Sequence, residues 1–249
     1  MENPFSLAGK TILVTGASSG IGKAVAQQCA AAGATCIVTA RNEARLGETL
    51  VSLPAGAHKM LLADLSTANG VTMLVEQLDG KIDGVVCAAG VVETQVLKLT
   101  DEADMEKLFQ TNTFSAIRFV RELVQQKRLN KGASIVLISS ISGVRCGYVG
   151  GSIYGATKGA LEGFVKASAL ELAPQRIRIN TIQPGMVETH LLDNGDIDQE
   201  QLEADKQRYP LKRYGRPEEV GYAAVYLLSN ATEWMTGTGL LIDGGYTVA

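Results

Sequence analysis

The sequence predicts a doubly wound α/β domain built on a seven-stranded parallel sheet with helices on both faces. Short apolar runs alternate with longer amphipathic stretches along the 249 residues. Apart from RIRINTI, the runs are apolar almost throughout, as strands buried on both faces are. Parallel neighbours need a crossover connection, which the amphipathic stretches provide. We expect strands at 10–15, 35–40, 58–63, 83–89, 133–139, 176–182 and 239–243.

Helices are predicted between these runs, at 20–33, 42–52, 66–79, 102–129, 152–173 and 217–229. Asn42 and Ser66 are residue types that cap helix N-termini, and they open the second and third helices. The stretch 190–212 is polar and too long for an ordinary connection, which suggests a lid or binding loop. No linker or repeat divides the chain, so we expect one domain over 1–249 with the lid as an insertion.

The charge balance argues against a nucleic-acid partner. The formal net charge is −3, and the 23 Lys and Arg residues are scattered instead of forming a basic stripe. His58 and His190 are the only histidines and stand far apart in the sequence. We therefore expect no metal site of the zinc type.

Cysteine usage and hydropathy bear on the compartment. The four cysteines are Cys29, Cys36, Cys87 and Cys146. They show no paired spacing, which indicates free thiols in a reducing compartment. Residues 1–10 lack the basic start and apolar run of a signal peptide. No apolar run approaches the ~20 residues that span a bilayer. We expect a cytoplasmic protein without a membrane partner.

A glycine-rich turn, TGASSGIG, follows the first strand and opens the first helix. Gly16, Gly20 and Gly22 let the backbone turn tightly and approach a pyrophosphate, which then lies at the helix N-terminus. A nucleoside-triphosphate loop would need glycine at Ala17 and Ser or Thr at Ala24, so that motif fails. The alternative is a turn that uses glycine only for packing.

The end of the second strand bears on the choice of dinucleotide. Enzymes that prefer NAD place an acidic residue near this point to bind the ribose 2′-hydroxyl. This chain has Ala40 and then Arg41, whose guanidinium suits a 2′-phosphate in charge and geometry. The sequence therefore favours NADP, unless Arg41 is a surface arginine at a helix start.

Tyr154 and Lys158 lie four residues apart in a predicted helix, so both side chains share one face. A phenol beside an ammonium could form a proton-transfer site. A Tyr-x-x-x-Lys match is weak by itself, because Tyr154 could be a core aromatic and Lys158 a solvated end. Its meaning depends on the accompanying motifs.

These motifs together resemble the short-chain dehydrogenase/reductase family, in order and across nearly the whole chain. The matching segments are TGASSGIG (15–22), LLADLS (61–66), IVLISSISG (135–143), YGATK (154–158), QPGMVETH (183–190) and the ending TGTGLLIDGGY. The resemblance implies a Rossmann-type fold and hydride transfer between a nicotinamide cofactor and a carbonyl or alcohol.

The resemblance implies four catalytic residues: Asn112, Ser140, Tyr154 and Lys158. Tyr154 would be the general acid and base, with its pKa lowered by Lys158 and by the oxidised nicotinamide. Ser140 would hydrogen-bond the substrate oxygen, with Ser139 and Ser142 as alternatives. Asn112 would anchor a water that links the lysine to solvent, or would simply bond its own backbone.

Cofactor contacts implied by the same resemblance involve the glycine turn, the ends of the second to fourth strands, the Tyr-Lys pair and the loop after the sixth strand. These residues are Gly16, Ser18, Ser19, Gly20, Ile21, Gly22, Arg41, Asn42, Asp64, Leu65, Ala89, Gly90, Tyr154, Lys158, Val187 and Thr189. Where the family has Asn-Asn-Ala-Gly, this chain has Cys87-Ala88-Ala89-Gly90. Hydrogen bonds from the two missing amides are therefore in doubt, and Cys87 is interpreted as a small buried hydrophobe.

The leading hypothesis is an NADPH-dependent reductase, or the corresponding alcohol dehydrogenase, acting on a small carbonyl or alcohol. The alternative is a 3-oxoacyl-(acyl carrier protein) reductase acting on an acyl thioester. A basic cluster of Lys127, Arg128 and Lys131 favours docking of an acidic carrier, whereas Leu170, where those reductases tend to have arginine, counts against it. A third hypothesis is a non-catalytic NADP-binding sensor.

The resemblance also implies a homotetramer or homodimer formed through the helices 102–129 and 152–173 and the C-terminal segment. The identity of the substrate lies in segments 91–98, 142–153 and 190–212, which fit a moderately apolar molecule.

Overall fold

Seven parallel strands form one sheet in the computed structural model, which describes residues 3–189 and 199–249. The order across the sheet is β3-β2-β1-β4-β5-β6-β7, with the reversal of strand order at β1 and β4. This confirms the predicted Rossmann-type architecture. The strands are β1 Thr11–Thr15, β2 Thr35–Ala40, β3 Lys59–Leu62, β4 Ile82–Cys87, β5 Leu129–Ile138, β6 Arg178–Pro184 and β7 Gly239–Ile242.

Helices cover both faces of the sheet. They are α1 Gly20–Ala31, α2 Glu43–Ser52, α3 Ala68–Glu76, α4 Glu102–Phe109, α5 Ser115–Gln125, α6 Ser152–Leu172, α7 Gln199–Lys206 and α8 Pro217–Leu228. Leu13 of β1 belongs to the core cluster shared with α3, α5 and α6, while its neighbours Ile12 and Val14 belong to the cluster shared with α1 and α8. Burial of alternate residues on opposite faces explains why the sequence of β1 is apolar at consecutive positions.

The predicted helix 102–129 is wrong in two respects. A five-residue π-helical turn, Gln110–Phe114, separates α4 from α5. The helical region then ends at Gln125, because Lys127 adopts a left-handed conformation with φ of 53°. Leu129 already belongs to β5, where it pairs with Ile82.

The N-terminus of α3 also differs from the prediction. The capping side chain is that of Thr67, whose Oγ1 accepts a hydrogen bond from the Gly70 N–H. Ser66, the predicted cap, instead donates its hydroxyl to the Asp64 carboxylate. The cap predicted at Asn42 is present, since its side chain accepts from the Arg45 N–H at 3.0 Å.

Part of the predicted lid, residues 190–198, lies outside the described residues. The remainder contains α7, followed by a turn that leads to Tyr209. In the described ranges no helix is both long enough and apolar enough to cross a membrane. Within those same ranges, no group of three or more His, Cys, Asp or Glu residues is arranged to hold a metal ion.

Candidate active site

The sequence-predicted site residues follow the carboxyl ends of the strands, where a doubly wound sheet binds its ligands. The turn after β1 contains Gly16, and the turn after β4 contains Gly90. Ser140 follows β5, and the loop after β6 contains Val187. Since all the strands are parallel, their carboxyl ends share one edge of the sheet, and α6 brings Tyr154 and Lys158 to Ser140 at this edge.

The glycine turn has no room for side chains at two of its positions. A Cβ on Gly16 would lie 2.7 Å from the Ala89 backbone N, and one on Gly22 would lie 2.2 Å from the Gly16 carbonyl O. Gly16 and Gly20 also have φ of 65° and 49°, which favour glycine. The N-cap of α1, Ser19, makes no side-chain capping hydrogen bond within the described chain. Amide groups at this helix start therefore remain available to an anion.

The segment after β4, which lacks the two family asparagines, is held through its backbone by Thr15. The Oγ1 of Thr15 accepts from the Ala88 N–H at 3.1 Å and from the Ala89 N–H at 3.3 Å. Cys87 is buried, and burial raises the pKa of its thiol to about 12. This thiol therefore stays protonated at neutral pH, as expected for a small buried hydrophobe.

The residues after β2 and β3 lie close together. The Asp64 carboxylate accepts hydrogen bonds from the Ser66 hydroxyl at 2.7 Å and the Ser66 N–H at 3.0 Å. These bonds, together with the charge of Arg41, lower the pKa of Asp64. Arg41 is exposed and Leu65 is buried. Because the Asn42 side-chain oxygen caps α2, only its amide N–H groups remain for a ligand.

The contacts of the candidate serines distinguish Ser140 from Ser139. The Ser140 hydroxyl accepts from the Ser142 N–H at 3.1 Å, and it is close enough to Tyr154 to act on the pKa of the phenol. The Ser139 hydroxyl instead donates to the Lys158 carbonyl O in the backbone of α6. Ser140 is thus the serine that the structure places against Tyr154.

Tyr154 and Lys158 face the same side of α6, with the Lys158 Nζ 5.8 Å from the centre of the tyrosine ring. Burial raises the pKa of Tyr154 to about 12, while the Ser140 hydroxyl acts to lower it. Burial lowers the pKa of Lys158 to about 8. The Nζ donates to the Ile138 carbonyl O at 2.9 Å, which leaves two further N–H groups for a ligand.

Asn112 is buried in the π-helical turn, and its side chain is fully engaged with the protein. Its amide exchanges two hydrogen bonds with the Val91 backbone, at 2.8 and 2.9 Å, and donates a third to Thr157 Oγ1. A Cβ on Gly90 would lie 3.2 Å from the Asn112 Oδ1 and 3.4 Å from the Lys158 Nζ. Asn112 therefore fixes the segment after β4 beside the lysine.

The loop after β6, residues 185–189, approaches the glycine turn. A Cβ on Gly20 would lie 3.3 Å from Thr189 Cγ2. Val187 is buried and forms a β-bridge with Gly215. The Gly215 N–H donates to the Met186 carbonyl O, and the Glu188 N–H donates to the Gly215 carbonyl O. Val187 and Thr189 thus lie in a loop that is held in place by the chain before α8.

Two tyrosines near the site were not identified from the sequence. Tyr148 lies close enough to Tyr154 for the two phenols to interact electrostatically. Tyr209 hydrogen-bonds the loop after β6. Both belong to stretches that the sequence associated with the substrate, 142–153 and 190–212, but neither stands in a motif of fixed spacing.

Comparisons with known proteins find similarity over nearly the whole chain. A family model described as enoyl-(acyl carrier protein) reductase matches residues 16–247. An uncharacterized oxidoreductase of Bacillus subtilis, YmfI, is 34% identical over 244 residues, covering 95% of this chain and 98% of that protein. The 3-oxoacyl-(acyl-carrier-protein) reductase FabG of Rickettsia conorii is 32% identical over 242 residues, covering 97% and 98%. The solved RhlG/NADP active-site complex of Pseudomonas aeruginosa is similar with a TM-score of 0.92 at 33% identity, covering 99% of this chain and 100% of that one.

Proposed function

The chain belongs to the short-chain dehydrogenase/reductase family and is an oxidoreductase, and from this premise we propose that it uses NADPH to reduce a carbonyl to a secondary alcohol. Tyr154 is the proposed general acid, which acts as a base in the reverse direction. The observation that carries the proposal is that Ser140, Tyr154 and Lys158 lie together: Ser140 is close enough to act on the pKa of the Tyr154 phenol, and the Lys158 Nζ lies 5.8 Å from the centre of the same ring.

The residues at the sheet edge fit a dinucleotide phosphate. A side chain at Gly16 or Gly22 would fill the space that the backbone needs for its close turn. The proposed contacts are the Ser18–Gly22 turn for the pyrophosphate and Asp64 and Leu65 for the adenine. Arg41, with Asn42 beside it, is proposed to bind the 2′-phosphate, because a guanidinium binds phosphate with two parallel hydrogen bonds. The NADP in the Pseudomonas aeruginosa relative supports the same cofactor here.

The nicotinamide half of the cofactor is assigned to the residues that follow β4 and β6. Ala89 and Gly90 provide small residues beside Lys158, and Val187 and Thr189 provide the loop after β6. The Lys158 ammonium has two N–H groups to spare for the ribose hydroxyls. When bound, NADPH supplies the hydride.

The proton that the reduced substrate takes up is proposed to come from Tyr154. With its pKa raised to about 12 by burial, Tyr154 is protonated at neutral pH and can donate to the alkoxide oxygen of the reduced substrate. The resulting phenolate is stabilised by the Ser140 hydroxyl and by the positive charge of Lys158. Ser140 also hydrogen-bonds the substrate oxygen while charge develops there. In its protonated form, Tyr154 can supply the proton that reduction of a carbonyl requires.

The substrate proposed is a moderately apolar carbonyl compound. Exposed apolar side chains occur in the segments beside the site, at Val92, Leu97 and Val149, and the phenol of Tyr148 lies near that of Tyr154. We propose that the described part of the lid, residues 199–212, borders the substrate. The whole chain is proposed to act as a single domain.

A 3-oxoacyl-(acyl carrier protein) reductase is the second candidate, and the named activity of the Rickettsia conorii relative favours it. The basic cluster is weaker than its sequence suggests, because Arg128 donates to the Leu78 carbonyl O at 3.1 Å. Lys127 and Lys131 remain exposed, and so does Leu170 where an arginine would serve a carrier. A silent NADP sensor is less well supported, because Ser140, Tyr154 and Lys158 are all present and lie together.

We further propose a homotetramer or homodimer and a cytoplasmic location. The outer face of α6 exposes small residues, Ala156, Gly163 and Ala167, which would let a second helix approach closely. None of the four cysteines, which all lie in the described ranges, forms a disulfide, as expected in a reducing compartment.

The test of the proposed function follows cofactor oxidation at 340 nm, with NADPH compared to NADH, for acetoacetyl thioesters, simple ketones, diketones, keto sugars and steroids. We expect at least one carbonyl class to be reduced, with NADPH preferred by at least about tenfold, since one charge-assisted contact to the 2′-phosphate contributes about 1.5–3 kcal/mol. Arg41→Gln should abolish most of the preference, whereas Arg45→Gln, at an exposed position in α2, should retain it. A preference for NADH in the wild type would contradict the assignment of Arg41.

A further inference from the structure

Three tyrosines, two from the segment before α8 and one from the C-terminal turn, pack into one cluster beside the proposed active site. Tyr209 and Tyr214 are buried, and their rings meet edge to face with centres 5.5 Å apart. Tyr246, in the C-terminal turn, packs on the other side of Tyr209 with ring centres 4.8 Å apart. We call these residues the tyrosine cluster.

The central ring of the cluster has a polar contact with the loop after β6. The phenol oxygen of Tyr209 accepts a hydrogen bond from the Met186 backbone N–H at 3.1 Å. Met186 directly precedes Val187, the residue of the proposed cofactor loop that is buried. Two other anchors hold this loop: the bridge to Gly215, and the hydrogen bond from the Gly185 N–H to the Ile242 carbonyl O. Tyr209 thus provides the only side-chain hydrogen bond to the backbone N–H of residues 185–189 among the described residues.

The C-terminal turn is built against the same ring. The Asp243 carboxylate accepts from the Gly245 N–H at 3.0 Å and from the Thr247 N–H at 2.9 Å, which fixes the turn. Arg208 donates to the Tyr246 phenol at 2.7 Å and lies over its ring. The position of Tyr209 therefore depends on the last residues of the chain as well as on its own neighbours.

We propose that Tyr209 is a positioning residue that fixes the loop 185–189 for cofactor binding, and that the C-terminal turn acts on the cofactor site through it. The proposal rests on the proposed function, because it needs that loop to contact NADPH. Without the Tyr209 phenol, the Met186 N–H loses its partner and the loop populates positions that do not hold the cofactor. Binding of NADPH must then restore the order of the loop, which lowers affinity.

The test compares Tyr209→Phe with Tyr214→Phe and the wild type. Both variants keep the ring and remove one phenol hydroxyl from the cluster, but the Tyr214 hydroxyl donates to Asp205 at 2.9 Å and, among the described residues, makes no hydrogen bond with the loop 185–189. NADPH affinity is measured by fluorescence titration, and loop opening by hydrogen exchange of peptides covering 185–189. We expect Tyr209→Phe to raise the Kd for NADPH about threefold to tenfold, the range for one lost hydrogen bond, and to speed exchange in the loop. Tyr214→Phe should change the Kd by less than twofold.

Two results would overturn the positioning role alone. One is a Tyr209→Phe protein with unchanged Kd and unchanged loop exchange, and the other is an equal loss of affinity in both variants, which would indicate a general loss of stability. A wild-type protein that fails to bind NADPH would instead overturn the proposed function, and this role with it.

Discussion

At the scale of single residues, the site depends on two opposite effects of burial. Burial raises the pKa of Tyr154 to about 12 and lowers that of Lys158 to about 8, because a low-dielectric surrounding disfavours the charged form of each group. At pH 7 the tyrosine is therefore neutral and the lysine mostly charged. This is the combination needed to donate a proton and then stabilise the phenolate.

The lowered pKa of Lys158 predicts a pH dependence. Below about pH 8 the ammonium is charged and attracts an anionic cofactor, and above it the charge is lost. We expect kcat/KM for NADPH, measured by initial rates from pH 6 to 10, to fall as the pH rises through about 8. Circular dichroism at each pH checks that the protein stays folded. A profile that is flat up to pH 10 would show that the charge of Lys158 does not assist cofactor binding.

At the scale of elements, we propose two functions for α6, one on each of two faces. One face carries Tyr154 and Lys158, and the other exposes the small residues of the proposed subunit contact. The buried Oε1 of Glu162, on the same helix, has no hydrogen-bond partner among the described residues.

The proposed subunit contact can be tested at a glycine that has open space around it. A Cβ on Gly163 would meet no atom within 4 Å, and the same is true of Gly47 in α2. Lysine favours a helix more than glycine does, so neither substitution should destabilise the monomer. We expect light scattering at micromolar concentration to give a dimer or tetramer mass for the wild type and Gly47→Lys, and a smaller mass for Gly163→Lys. A monomeric wild type would refute the assembly.

The sequence predicted the elements better than their boundaries. Short apolar runs located the strands, most clearly at the centre of the sheet, where β1 and β4 are buried on both faces. Apolar periodicity merged α4 and α5, since the π-helical turn at Asn112 inserts without any glycine or proline. The early end of α5 was missed for a similar reason, as the left-handed residue there is Lys127.

At the scale of the whole molecule, some contacts of the site could be predicted from the sequence and others could not, because the two kinds arise in different ways. Gly16, Ser140, Tyr154 and Lys158 stand in motifs of fixed spacing, so they could be named from the sequence. By contrast, the Ala89 N–H donates to Thr15 Oγ1 between neighbouring strands, and the Met186 N–H donates to the Tyr209 phenol across 23 residues. Such contacts depend on how the sheet and its loops pack, which no local pattern encodes.

We propose above all that Tyr154 transfers the proton. The measurement that tests this compares the turnover of Tyr154→Phe and of the wild type on the best substrate of the carbonyl panel. The substitution removes only the phenol hydroxyl, so the variant should still bind NADPH, as measured by fluorescence. The control is Tyr222→Phe, on the exposed side of α8. We predict that kcat falls at least about 100-fold in Tyr154→Phe, the range for loss of a general acid, and stays unchanged in Tyr222→Phe. A Tyr154→Phe protein that binds NADPH and turns over at the wild-type rate would contradict the account.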